Sequence, residues 1–290
     1  MKVCGFSFIR NAIKYDYPIA EALQSILPLC DQIYVAVGES EDDTRNLVAG
    51  ISDKIVIIDT VWSDIRKGGR ALAIETDKAY AAIANSYDWC IYIQGDEVIH
   101  ESDYPEIRAK MQTNLNDEQV EGLLFNYHHF YGSFDYLATS GKWYDKEIRV
   151  VRHLPDLFSY GDAMGFRIKP NRKLDVKPVD AYIYHYGWVK HPAYQQAKQL
   201  SFNKLWLNDE ELSGKVDADE QYYDYEKIDR VKLFKGTHPV VMESRIERQN
   251  WKVHLDTSSD HRTFLEKMRS GIEQLTGWRP GKYRNYKLLK

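Results

Sequence analysis

The stretch Asp88-Trp89-Cys90-Ile91-Tyr92-Ile93-Gln94-Gly95-Asp96-Glu97-Val98-Ile99 decides how the chain is read. Ile91 to Ile93 are apolar and β-prone, as in a strand covered on both faces. Gly95 lets the backbone turn or approach a ligand closely. Asp96 and Glu97 fall where that strand ends. In open α/β sheets ligands bind outside the carboxyl ends of the strands. Hard carboxylate oxygens at that place suit a divalent cation holding a diphosphate. The competing reading is a strand followed by an acidic turn.

Toward the N-terminus, Val3 to Ile9 reads as a strand running into Arg10-Asn11. Ile19, Ala22, Leu23, Ile26 and Leu27 share one helical face, and Pro28 closes that helix. Gln32 to Val37 is a second strand, followed by a polar turn and a short helix over Thr44 to Ile51. Lys54 to Asp59 is a third. Gly68-Gly69 then precede an alanine-rich helix from about Arg70 to Asn85. This βαβαβαβ order predicts a parallel sheet with right-handed crossovers. There is no GxGxxG after the first strand and no GxxxxGK[ST] anywhere, which argues against a dinucleotide-binding Rossmann domain and a P-loop enzyme.

Toward the C-terminus, a helix is expected after Asp103-Tyr104-Pro105, running to about Asn114, and strands over Gly122 to Phe130 and Lys146 to Arg152. His128 and His129 fall on opposite faces of their strand, so they cannot both bind one metal. Ser159 to Arg167 sets Asp162 between Gly161 and Gly165. Ala181 to Tyr186 is a strand reaching His185, with Gly187-Trp188 beyond it. Pro192 to Asn208 has a helical pattern. Glu210 to Glu226 reads as a solvated acidic loop, and the remainder mixes short helices with a basic end. The expected organisation is one α/β domain over 1–190 and a mainly helical extension over 191–290.

The 290 residues are 43% hydrophobic and 13% aromatic, enough for a sizeable core. A net charge of −4 argues against general nucleic-acid binding, which needs a basic face. Cys4, Cys30 and Cys90 are odd in number and not paired in spacing, against a disulfide framework or a zinc site. A reduced compartment follows. The chain enters its first strand with no signal-peptide core and has no run of ~20 apolar residues, so a cytoplasmic protein is expected.

The order of these short motifs resembles GT-A glycosyltransferases of the family 2 type, most closely over 1–100. Ile9-Arg10-Asn11 and Asp31-Gln32-Ile33-Tyr34-Val35 match the family's opening, and Glu39-Ser40-Glu41-Asp42-Asp43-Thr44 keeps the Ser, Asp and Thr of its next loop. The usual acid at the end of the second strand is replaced by Val37 or Gly38, with Glu39 as a substitute. Ile93-Gln94-Gly95-Asp96-Glu97 aligns with the metal motif Leu-Asp-Ala-Asp-Glu, with Gln94 in place of the first acid. The resemblance implies a Rossmann-like α/β fold with a mixed, mostly parallel sheet and a helical C-terminal appendage. It also implies inverting transfer from a nucleotide-sugar donor, in particular a UDP-sugar, to a glycan or lipid-linked acceptor, with Mn²⁺ or Mg²⁺ as cofactor.

That chemistry assigns expectations residue by residue. Asp96 and Glu97 are the metal candidates, and the resemblance adds His185 as a late third ligand. Both acids could instead cap the next helix. Arg10, Asn11, Glu39, Arg70, Gln94 and Asp96 are the donor-binding candidates, Arg70 because helix N-termini attract anions. Asp162 is the first choice for the base and Glu147 the reserve; Asp162 could equally be an Asx-turn residue. Arg149 and Arg152 could bind a charged acceptor, and Trp143 and Trp188 could stack on a sugar or fill the core. The basic C-terminus (Arg279, Lys282, Arg284, Lys287, Lys290) could dock on an anionic membrane at its inner face or be a solvated tail. Two other classes stay open: a sugar nucleotidyltransferase, which needs a glycine-rich basic loop after the first strand, and a non-catalytic glycan-binding scaffold, which the Gln94 substitution favours.

Overall fold

The computed structural model describes residues 1–62, 69–203, 221–276 and 280–289. Its N-terminal half follows the sequence pattern. Strand β1 (Val3–Ile9), helix α1 (Ile19–Ile26), β2 (Gln32–Gly38), α2 (Thr44–Ala49), β3 (Ile55–Thr60), α3 (Arg70–Ala81) and β4 (Trp89–Tyr92) alternate. They build a parallel sheet in the order β3-β2-β1-β4. Strand alternation divides its side chains between two cores. Ile33, Val35 and Ile91 meet α1 on one face, while Phe6, Tyr34 and Tyr92 meet Leu72, Ala79 and Tyr80 of α3 on the other. Burial on both faces explains the continuous apolar runs.

Beyond β4 the parallel character weakens. After β5 (Glu97–Ile99) and α4 (Tyr104–Thr113) come β6 (Gly122–Tyr131), β7 (Ser133–Ala138), β8 (Lys146–Arg152), β9 (Leu157–Tyr160), β10 (Gly165–Ile168) and β11 (Arg172–Trp188). The sheet continues β4-β8-β6-β11-β10-β9, with β4–β8, β8–β6 and both pairs of the β11-β10-β9 end antiparallel and only β6–β11 parallel. Most of these strands are joined without helices, and short connections allow antiparallel neighbours. β11 is longer than the apolar pattern indicates, because its first half is a charged alternation interrupted at Pro178, where its register with β6 shifts.

The C-terminal part holds helices α5 (Pro192–Asn203), α6 (Glu243–Glu247) and α7 (Phe264–Thr276). It also returns two strands to the sheet: β12 (Val231–Leu233) pairs β7, and β13 (Tyr286–Leu288) pairs β11. The basic end is therefore partly tied down. Lys282 pairs with Asp145 and Glu273, and Arg167 donates to the Tyr283 hydroxyl at 2.6 Å. Gly68, Arg279, Lys290 and most of Glu210 to Glu226 lie outside the described residues. No helix among the described residues is long and apolar enough to cross a membrane.

Candidate active site

A cavity of about 640 Å³ opens at the carboxyl ends of the parallel strands, the place and size expected of a small-molecule site in such a sheet. One side is built from the end of β1 (Arg10, Asn11), the loop after β2 (Glu41) and Trp62 beyond β3. The Arg10 guanidinium lies 5.7 Å from the centre of the Trp62 ring, and its Nε donates to the Glu39 carbonyl at 2.9 Å. Asn11 is buried, at φ 52°. Its backbone N–H donates to Ser40 Oγ, and its Oδ1 accepts from the Glu41 N–H at 2.8 Å. Asn11 thus shapes the loop that carries the family-like Ser, Asp and Thr. The Glu39 side chain is exposed, and only its backbone takes part. Arg70 is exposed at the start of α3 and does not line the cavity.

The floor is the turn Gln94–Asp96 between β4 and β5. Gly95 packs closely there: a Cβ would lie 2.8 Å from Ile9 Cδ1 and would push that side chain aside. The turn leaves Asp96 at the cavity and carries Glu97 into the sheet. Glu97 is opposite His185 in the antiparallel β5–β11 pair, and His185 is opposite His129 in the parallel β11–β6 pair. The Tyr186 N–H donates to the Asp96 carbonyl at 2.8 Å. These pairings bring Asp96 beside His185, with Asp96 Oδ2 3.8 Å from His185 Nε2. A Cβ on Gly187 would come within 2.6 Å of both atoms, so glycine keeps the gap open.

The expectation that Asp96, Glu97 and His185 form one ligand set is corrected by the partners of Glu97. Its carboxylate accepts from Arg149 Nε at 2.8 Å, Arg149 Nη2 at 2.7 Å, Tyr127 OH at 2.8 Å and the Gln94 N–H at 3.2 Å. A carboxylate offers about four acceptor positions, and all are taken. Glu97 and Arg149 are both fully buried. Arg149 is thereby spent inside the protein and does not face an acceptor. Arg152 is spent as well, on the carbonyls of Asn114, Leu115, Asp117 and Val120.

The sequence pointed to Asp96 and His185 but not to the three neighbours that define their state. His129 Nε2 lies 2.6 Å from the Tyr144 carbonyl, which can only accept, so that nitrogen carries the proton. Burial holds both imidazoles below the usual histidine value, so they are neutral. His129 Nδ1 is then an acceptor, and the 3.0 Å contact is a bond donated by His185 Nδ1. His185 Nε2 is left with its lone pair beside Asp96. The third neighbour is Lys198 of α5. Its ammonium donates to Asp96 Oδ2 at 3.2 Å and to the Gly187 carbonyl at 2.9 Å. Burial alone would raise the Asp96 carboxyl, but the charge of the Lys198 ammonium leads the groups that outweigh it and hold it at about 2. No motif announces Lys198; its partner lies 102 residues away.

Asp96 and His185 offer two donors for a divalent cation, and no cluster of three His, Cys, Asp or Glu residues suited to a metal exists among the described residues. The ammonium of Lys198 already occupies one of the two. Like unit charges ~4 Å apart repel by about 4 kcal/mol at an effective dielectric of 20, and a divalent ion doubles that. These residues do not fit a resident Mg²⁺ or Mn²⁺.

Asp162 also lines the cavity, at the β9–β10 turn, where Gly161 and Ala163 have φ 67° and 66°. Burial raises its carboxyl above the ordinary value. Gln94 Nε2 donates to the Ala163 carbonyl at 3.0 Å and so ties this turn to the floor. Glu147, the reserve base, does not line the cavity. It is buried in β8 with Oε2 unpartnered, and desolvation pushes its carboxyl up to about 8. Trp143 and Trp188 are half-buried on the cavity wall, their rings T-shaped at 5.7 Å. His129 packs behind the site, while His128 stacks on Tyr182.

No family model matches the chain, and no curated protein matches it in sequence. Solved structures share parts of it. Staphylococcus aureus TarS is 13% identical over 69% of this chain and 39% of that one, with a TM-score of 0.35. Glucosyl-3-phosphoglycerate synthase from Mycobacterium tuberculosis, crystallised with Mg²⁺ and uridine diphosphate, is 19% identical over 45% of this chain and 43% of that one, at 0.30. The 4-diphosphocytidyl-2C-methyl-D-erythritol synthase from Anaerococcus prevotii is 8% identical over 52% of this chain and 70% of that one, at 0.33. The match spans less than half of the two transferase chains named first.

Proposed function

We propose that the protein is a GT-A-type glycosyltransferase. It moves a sugar from a nucleoside diphosphate donor, UDP being the nucleotide the sequence resemblance implies, to a hydroxyl of a glycan or lipid-linked acceptor. The observation that carries this reading is the cavity at the strand ends that Arg10, Asn11, Asp96, Asp162, His185 and Lys198 all line. Arg10 and Trp62 suit the nucleoside end, a cation-bearing floor suits the diphosphate, and Trp143 with Trp188 suit an acceptor sugar. The acceptor hydroxyl oxygen attacks the anomeric carbon while its proton passes to the Asp162 carboxylate. The bond from that carbon to the diphosphate oxygen breaks, and its electron pair leaves with the nucleoside diphosphate. One displacement inverts the anomeric centre. Asp162 suits the base because burial raises its carboxyl, and a base works best with a value nearer the operating pH. Nucleotidyl transfer is disfavoured by the turn after β1, where Asn11 braces the next loop and no glycine-rich cradle stands.

The test is thermal unfolding with UDP, GDP, ADP and CDP. A ligand at ~100 times its dissociation constant stabilises by about 2.7 kcal/mol. One nucleoside diphosphate should raise the midpoint, and its sugar conjugate should be hydrolysed slowly, with water as acceptor, to the free sugar and the nucleoside diphosphate. No shift with any of the four sinks the reading.

A further inference from the structure

We infer that Lys198 is the cation of the donor site: its ammonium, held by Asp96 and the Gly187 carbonyl, binds the diphosphate of the donor, and the site works without a divalent metal. This rests on the glycosyl-transfer reading and names how that site holds its ligand. An ammonium has three N–H donors. Two are directed to Asp96 Oδ2 and the Gly187 carbonyl, and the third has no partner among the described residues. Lys198 lines the cavity. Its position is fixed from a third side by the ring of Tyr17, whose centre is 4.8 Å from Nζ. The buried Lys190 sits 4.5 Å from the same ring and donates to the Asp16 carbonyl. A buried ammonium held at three points loses little freedom when an anion arrives.

The rest of the floor fits the same design. A metal motif needs acids, and the motif's other two acid positions, 94 and 97, are withdrawn. Gln94 stands where the family has its first acid and spends its amide on Tyr92 and Ala163. Glu97 is saturated by Arg149, Tyr127 and a backbone N–H. The single remaining carboxylate matches the single ammonium, so Asp96 positions Lys198. In the transfer step the electron pair of the breaking carbon–oxygen bond ends on the diphosphate, and Lys198 faces that growing charge. His185 Nε2, with its lone pair free, can accept from a ligand hydroxyl at the same spot.

The experiment measures UDP affinity by calorimetry, with GDP, ADP and CDP as alternates and the matching monophosphate as control. It is run in EDTA and again with Mn²⁺, on the wild type, Lys198→Met, Lys198→Arg and the double variant Asp96→Asn/Lys198→Met. The double variant removes both charges, so no buried ion is left unpaired if the single variant fails to fold. The expected result is equal diphosphate affinity in EDTA and Mn²⁺. Lys198→Met and the double variant should weaken it about tenfold or more, Lys198→Arg should weaken it less, and the monophosphate should be changed far less in every variant. Binding that appears only with Mn²⁺ overturns Lys198 as the cation and leaves the transferase reading standing. So does wild-type affinity in EDTA that survives Lys198→Met or the double variant. Absence of binding under every condition removes the transferase reading itself.

Discussion

Asp96 and Glu97 are neighbours in sequence, both are buried, and both are paired with a cation, yet they belong to opposite kinds of charge centre. Around Glu97 every acceptor position is filled, and the pair with Arg149 is shut inside the sheet. Around Asp96 the pairing is incomplete. Lys198 reaches it with one N–H, His185 turns a bare nitrogen toward it, and all three line the cavity. A saturated buried pair has nothing left to offer a ligand, whereas an unsaturated one at a cavity is already desolvated and needs a partner. Satisfaction of lone pairs, rather than residue type or burial, separates the acid sealed inside the sheet from the one open to the cavity.

The widest gap between the two centres should appear in stability. Glu97→Ala leaves the Arg149 guanidinium buried without its counter-charge, which costs about 3–5 kcal/mol, a large share of a typical domain's stability. Asp96→Asn should cost about 2 kcal/mol or less, from an Asp96 carboxyl held at about 2 against the usual 3.8. That folded value is depressed, so the Asp96 contribution is present above the unfolded value and is lost as pH falls through about 2. Urea unfolding at pH 7 checks both. Equal losses would mean that the Glu97 centre is not sealed as its hydrogen bonds indicate.

The sequence disclosed the part of this contrast that is local. Apolar runs, the helix face of Ile19 to Ile26 and the glycine before Asp96 placed the parallel half and the floor of the cavity. The sequence could not tell Asp96 from Glu97, because the partners that separate them, Arg149, Tyr127, His185 and Lys198, come from distant elements set by strand register. His129 was visible as a histidine on a strand, but its bond to His185 exists only because β6 and β11 lie parallel in that register. The antiparallel half was obscured where β11 begins as a charged alternation.

Glu147 is a third buried acid that belongs to neither centre, and it sharpens the comparison through pH. It has no cation of its own, and burial pushes it up to about 8. The folded state therefore holds a proton that the unfolded chain releases near 4.5. For a raised value the favourable term is fully present below the unfolded value and is lost as pH rises through about 8. The wild type should lose stability between pH 5 and 8, by a few kcal/mol at most. Glu147→Gln should flatten that slope and be the more stable protein at pH 9. Unfolding midpoints across that range measure it, and a flat wild-type profile would show that Glu147 is solvated or paired in solution.

The smallest expected effect concerns the residue that joins the Glu97 centre to the turn carrying Asp162. The Gln94 backbone N–H donates to Glu97 Oε2, while its side chain bonds Tyr92 OH and the Ala163 carbonyl beside Asp162. In Gln94→Ala the backbone bond survives and the sealed centre keeps its four donors. The loss of one or two neutral side-chain bonds should cost about 1 kcal/mol. What changes is the turn that presents Asp162, since Ala163 at φ 66° is no longer pinned to the floor. Nucleoside diphosphate affinity should stay within about twofold, because Lys198 and Asp96 are untouched, while turnover falls through misplacement of the base. Affinity that drops in step with turnover would instead put the Gln94 amide on the donor itself. The cation-bearing floor would then reach one residue further toward β4 than its hydrogen bonds now indicate.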